Sequence, residues 1–113
     1  MMDIAIRTAA DVSIVGLAGH LDTNTSAAAQ DALDALLAGG SRKVVVDCTA
    51  LEYISSAGLR VLLSTVKRLE RDGGTLHLFG LNDTVREVFE ISGFSMILPV
   101  FDTETQALDG LTG

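Results

Sequence analysis

Val44-Val45-Val46 is an unbroken run of β-branched residues. A strand with one wetted face alternates polar and apolar side chains, so such a run demands cover on both faces, as in a parallel sheet. Parallel neighbours need a crossover connection, and the flanking residues supply one on each side. Before the run, Ala29, Ala32, Leu33, Leu36 and Leu37 share one face of a helix that ends at Gly39-Gly40. After it, Leu59, Leu62, Leu63, Val66 and Leu69 repeat that spacing up to Gly73-Gly74. The chain is constrained to an α/β architecture.

The remaining segments fit around this centre. Asp3-Ile4-Ala5-Ile6-Arg7 alternates as a half-buried strand, and Val12 to Leu17 forms a second. The short Ala9-Ala10-Asp11 link makes them a hairpin. The third strand ends at Asp47-Cys48-Thr49 and gives way to a loop, Ala50 to Ile54. Leu76 to Phe79 is a further strand, and Thr84 with Glu87 forms a capping box for a short helix that turns Val85, Val88 and Phe89 inward. Phe94 to Val100 is apolar, with Pro99 marking an edge or strand end, and Asp102-Thr103 caps a last helix containing Ala107 and Leu108. The expected order is ββαβαβα followed by a short strand and a helix. This is a mixed sheet of four or five strands with about four helices, in one domain over residues 1–113.

Charge narrows the partners. The 8 Lys and Arg against 15 Asp and Glu give a net charge of −7. Binding to nucleic acid or to an anionic membrane draws on cations, so both are disfavoured and a protein partner is expected. The single cysteine, Cys48, excludes an internal disulfide and every multi-Cys metal motif, and is expected to be a small buried hydrophobe. The opening Met1-Met2-Asp3-Ile4 lacks a signal-peptide pattern, and no apolar run approaches bilayer length, so the expected location is the cytoplasm.

Catalytic and cofactor motifs are sparse. His20, Asp22 and the serines at 55 and 56 allow a Ser-His-Asp site to be written down, but Ile54-Ser55-Ser56-Ala57-Gly58 is not the Gly-x-Ser-x-Gly elbow. His20 reads as a loop residue at a strand end and His77 as a strand residue that packs. Paired metal-ligand motifs, the Gly-x-Gly-x-x-Gly loop and the Lys-bearing P-loop are missing, so no metal, cofactor or catalytic residue is assigned.

The junction Tyr53-Ile54-Ser55-Ser56-Ala57-Gly58-Leu59-Arg60 is more informative. Serine at a helix start satisfies an orphan backbone N–H, which explains such residues as caps. The same place carries free N–H groups and the positive end of the helix dipole, so a phosphate there is tolerated electrostatically. A phosphorylated serine would add a charge of about −1.5 to −2 to the surface without disturbing the core.

Four stretches, in order, resemble the STAS family, the domain of bacterial anti-sigma factor antagonists. They are Leu17-Ala18-Gly19-His20-Leu21-Asp22; Val44 to Asp47 with Leu51 to Leu59; Gly73-Gly74-Thr75-Leu76; and Val85 to Phe89 with Ser92-Gly93-Phe94. The resemblance implies a STAS-like mixed sheet. It implies an anti-sigma factor with serine kinase activity as partner, bound by the unphosphorylated antagonist so that the sigma factor is released. Phosphorylation then weakens the complex, and a serine phosphatase restores it.

The acceptor implied by this resemblance is Ser56, two residues before Gly58. Ser55 stands where these antagonists carry Asp, and Ala57 where they carry Ser or Thr. Ser55 is therefore a second candidate acceptor. The lost Asp also leaves room for an alternative, a stand-alone STAS subunit of another assembly, such as a lipid-transport ABC complex, that binds constitutively.

Asp22, Thr23 and Asn24 are expected to share one recognition surface with Ser55, Ser56, Ala57, Gly58 and Arg60, because both segments follow strand C-terminal ends. Ala57 and Gly58 would let a partner backbone approach closely there. Arg60, Ser64, Lys67 and Arg71 form a helical stripe, basic on an acidic protein, that can steer an acidic partner or serve only as a solvated face.

Overall fold

The computed structural model describes residues 2–112. Met1 and Gly113, the ends of the expected domain, lie outside the described residues. The strands are β1 (Met2–Ala9), β2 (Val12–Leu21), β3 (Lys43–Ile54), β4 (Thr75–Phe79) and β5 (Val100–Phe101). The helices are α1 (Ser26–Ala38), α2 (Ser56–Arg71), α3 (Asp83–Ser92) and α4 (Glu104–Thr112), with a 3-10 turn at Phe94–Met96.

The strands lie side by side in chain order, β1-β2-β3-β4-β5. The hairpin β1–β2 is antiparallel and every later pair is parallel, giving the mixed sheet that the sequence predicts. The valine run shows why both faces had to be apolar. Val44 and Val46 join the main core with Leu33, Leu62, Leu69 and Phe89, from α1, α2 and α3. Val45 points the other way, into a smaller cluster with Ile14, Phe79, Ala107 and Leu111 under α4. On that second face the Arg7 guanidinium hydrogen-bonds the Glu104 carboxylate, tying α4 back to the edge strand.

Several sequence expectations need correction. Residues 50–54 are not a loop: β3 continues through them to Ile54. Its buried residues there are Cys48, Leu51 and Ile54, three apart, because register shifts fall between Gly16 and Ala18 and between Gly19 and His20 on the partner strand. A bulged strand loses its period of two, and with it the usual sequence signature. His20 likewise lies within β2, not in a loop.

In α2, Leu63 is only half-buried, while Val61 and Thr65 enter the core. The Thr65 hydroxyl is satisfied by donating to the Val61 carbonyl at 2.9 Å. The cap of α3 is Asn82, whose Oδ1 accepts from the Val85 N–H at 2.7 Å, and not Thr84. Most of the apolar stretch 94–100 is turn, and strand pairing begins only after Pro99.

Candidate functional site

The C-terminal ends of β2 and β3 lie together, Leu21 opposite Ile54 in register. Each hands the chain to a segment singled out in the sequence. After β2, Asp22 turns the backbone: its Oδ1 accepts from the N–H groups of Asn24 at 2.9 Å and Thr25 at 3.2 Å. The Thr25 hydroxyl donates to the His20 carbonyl at 2.7 Å and accepts from the Asp22 N–H at 2.9 Å. Asp and Thr can do this because their short side chains reach backbone groups two or three residues away. Thr23 and Asn24 are left exposed at the tip.

After β3, the Ser55 N–H donates to the Leu21 carbonyl at 2.9 Å, which fixes the start of α2 against the Asp22 loop. Ser55 is the N-cap, with extended backbone and with Oγ accepting from the Gly58 N–H at 3.4 Å. Ser56, the first helical residue, is exposed, and no other described residue hydrogen-bonds its hydroxyl. The first turn of α2 holds no acidic residue, so nothing there offsets the positive end of its dipole.

The structure divides the predicted site. It brings Asp22, Thr23, Asn24, Ser55, Ser56 and Ala57 to one end of the sheet, with Arg60 one turn further along α2 and exposed. Gly58 is buried beneath them, which corrects the expectation that a partner would use the space. A β-carbon at 58 would lie 2.7 Å from Leu21 Cγ, 2.8 Å from Ile54 Cγ1 and 2.8 Å from the Leu21 carbonyl oxygen. The missing side chain makes room for this chain's own β2–β3 end.

Two neighbours were not anticipated. Tyr53 is 42% exposed and its ring lies 5.9 Å from that of His20, an aromatic step at the margin of the site. Asn82 donates to the carbonyls of Leu51 at 3.1 Å and Glu52 at 3.4 Å, bracing the end of β3 against α3. The cross-strand pairing of His20 with Tyr53 became legible only with the bulged register.

His20 packs on Tyr53, and among the described residues it makes no hydrogen bond to Ser55 or Ser56. Among the described residues no cluster of His, Cys, Asp or Glu is grouped to hold a metal ion, and no helix is long and apolar enough to cross a membrane. Cys48 is buried, and burial pushes its thiol up to about 12, far from nucleophilic use. His77 is buried too, with Nδ1 2.9 Å from the Ala107 carbonyl and its ring against Phe101.

Comparison with known proteins adds to this geometry. The STAS domain family matches residues 3–107. The anti-sigma F factor antagonist of Paenibacillus polymyxa is 32% identical over 101 residues, 88% of this chain and 86% of that protein. The BtrV protein of Bordetella bronchiseptica is 53% identical over 68 residues, which make up 60% of this chain and 59% of BtrV. Among solved structures, an anti-sigma factor antagonist from Mycobacterium paratuberculosis superposes with a TM-score of 0.92 at 24% identity, over 100% of this chain and 96% of that one.

Proposed function

The chain belongs to the STAS domain family, and from that premise we propose that it is an anti-sigma factor antagonist switched by phosphorylation of Ser56. As one domain in the cytoplasm, the unmodified chain binds an anti-sigma factor with serine kinase activity, and the sigma factor is released. The partner phosphorylates Ser56 and the complex weakens; a serine phosphatase resets the switch. The chain itself catalyses nothing, inserts into no membrane and binds no nucleic acid.

The observation that carries this reading is the exposed, unengaged Ser56 hydroxyl at the acid-free first turn of α2. A phosphate there meets free backbone N–H groups and the positive end of a helix dipole, so the fold tolerates it. It stands beside the Asp22 loop, the surface that the partner would cover. A loss of about 2–3 kcal/mol, or 30- to 150-fold in affinity, is within the reach of a dianion forced into a desolvated contact. Ser55 is the poorer acceptor because its Oγ is already used by the Gly58 N–H.

Intact-mass spectrometry after incubation with a kinase-type anti-sigma factor and ATP tests the assignment. One phosphate is expected on the wild type and on Ser55→Ala, and none on Ser56→Ala. A phosphate retained by Ser56→Ala would overturn it.

A further inference from the structure

The cations of this acidic chain are unevenly used. Of its 8 Lys and Arg, five lie in ion pairs: Arg7 with Glu104 and Asp47, Arg42 with Asp72, Lys43 with Asp11, Arg68 with Asp34 and Arg86 with Asp102. The other three, Arg60, Lys67 and Arg71, have no ion-pair partner among the described residues, and all three lie on α2. Their spacing puts them in one stripe with Ser64 between, about 16 Å long at the rise of an α-helix. The stripe runs along a groove of about 1020 Å³ whose lining also includes Val61, Leu63, the Asp34-paired Arg68 and a single acid, Glu70. Ser56 precedes Arg60 by one turn, so the stripe starts at the proposed switch.

We infer that this stripe is a docking surface for an acidic amphipathic helix of a protein partner. Unpaired cations aligned on one helix attract carboxylates spaced by a helical repeat, and the half-buried Leu63 beside them offers one edge of such a helix an apolar contact. A nucleic-acid backbone fits less well: three cations against a net charge of −7 provide little counterion release. The inference deepens the proposed function by giving the partner's chemistry, and rests on it only for the partner's identity. A phosphate on Ser56 then acts twice, placing a dianion at the head of the stripe and drawing Arg60 away from the partner's acids.

The test uses no anti-sigma factor, so its failure is separate from that of the kinase assay. The full chain is titrated by fluorescence polarisation with a labelled synthetic helical peptide of Leu and Glu, and with its Gln-for-Glu twin. The Glu peptide should bind saturably, lose affinity as salt rises, and bind at least about tenfold more weakly to Lys67→Glu/Arg71→Glu. Lys67→Gln/Arg71→Gln, with circular dichroism on each variant, guards against misfolding and should weaken binding to a lesser degree. Equal binding of the two peptides, no saturable binding, or no effect of charge reversal on folded protein overturns the inference. So does a single-stranded oligonucleotide of similar length that binds as tightly as the Glu peptide.

Discussion

The backbone N–H of Ser55 donates to the carbonyl of Leu21 at 2.9 Å, joining the end of β2 to the start of α2. Through this bond the Asp22 loop and the Ser56 turn are held side by side, although they are far apart in sequence. Gly58 permits it by leaving Leu21 and Ile54 the space that a side chain would take.

Replacing Gly58 by alanine should therefore destabilise the fold by about 1–3 kcal/mol, the usual cost of overpacking. One of the clashing atoms is a backbone oxygen, which a rotamer change cannot move aside. Denaturant unfolding checks this; an unchanged midpoint would mean that the contact relaxes freely.

Asp22 has a structural role that substitution can separate from its charge. Asp22→Ala removes the acceptor of two N–H groups and should cost about 1 kcal/mol of stability. Asp22→Asn keeps the acceptor and drops the charge, so its melting temperature should stay near that of the wild type. If partner binding falls in Asp22→Asn as well, the carboxylate itself contributes to recognition.

The Cys48 thiol is held up to about 12 by burial, against 9.0 for the ordinary group. Its folded pKa lies above the unfolded one, so its contribution to stability is complete below pH 9 and fades as the pH rises from about 9 towards 12. Native protein at pH 8 should not react with a thiol-selective disulfide reagent, and reaction should follow only on unfolding. Rapid labelling of the folded protein would contradict the buried placement.

The Lys43 ammonium, 2.9 Å from Asp11, holds that carboxyl below its ordinary 3.8. A lowered folded pKa gives stability that is present above the unfolded value and lost as the pH falls through the folded one. Both groups are exposed, so the effect is small. Wild type should be slightly more stable than Lys43→Met near neutrality, with the difference closing below about pH 4. A constant difference across that range would assign the effect to packing by the lysine stem.

The sequence made much of the fold legible because apolar spacing survives wherever geometry is regular. The valine run announced a doubly covered sheet, and α1 and α2 followed from their apolar faces. Where the backbone departs from regularity, the pattern failed. Residues 50–54 looked like a loop because the bulged pairing of β2 with β3 spaces Cys48, Leu51 and Ile54 three apart.

The site was legible as a list of residues but not as an arrangement. Asp22, Ser55 and Ser56 stood out by type and by resemblance to a family. That Ser55 is engaged while Ser56 is not depends on cap geometry, and local sequence leaves the two serines equivalent as acceptors. Read locally, Gly58 offers space to a partner, because nothing in the adjacent sequence reveals the tertiary neighbours that fill it.

The most direct measurement is a calorimetric titration of the kinase-type anti-sigma factor with two forms of the full chain, unmodified and carrying phosphoserine incorporated at position 56. The account predicts a loss of about 30- to 150-fold in affinity for the phosphorylated form, while its melting temperature and amide spectrum away from α2 remain those of the unmodified chain. Equal affinity of the two forms, or a phosphorylated chain that no longer folds, would contradict it.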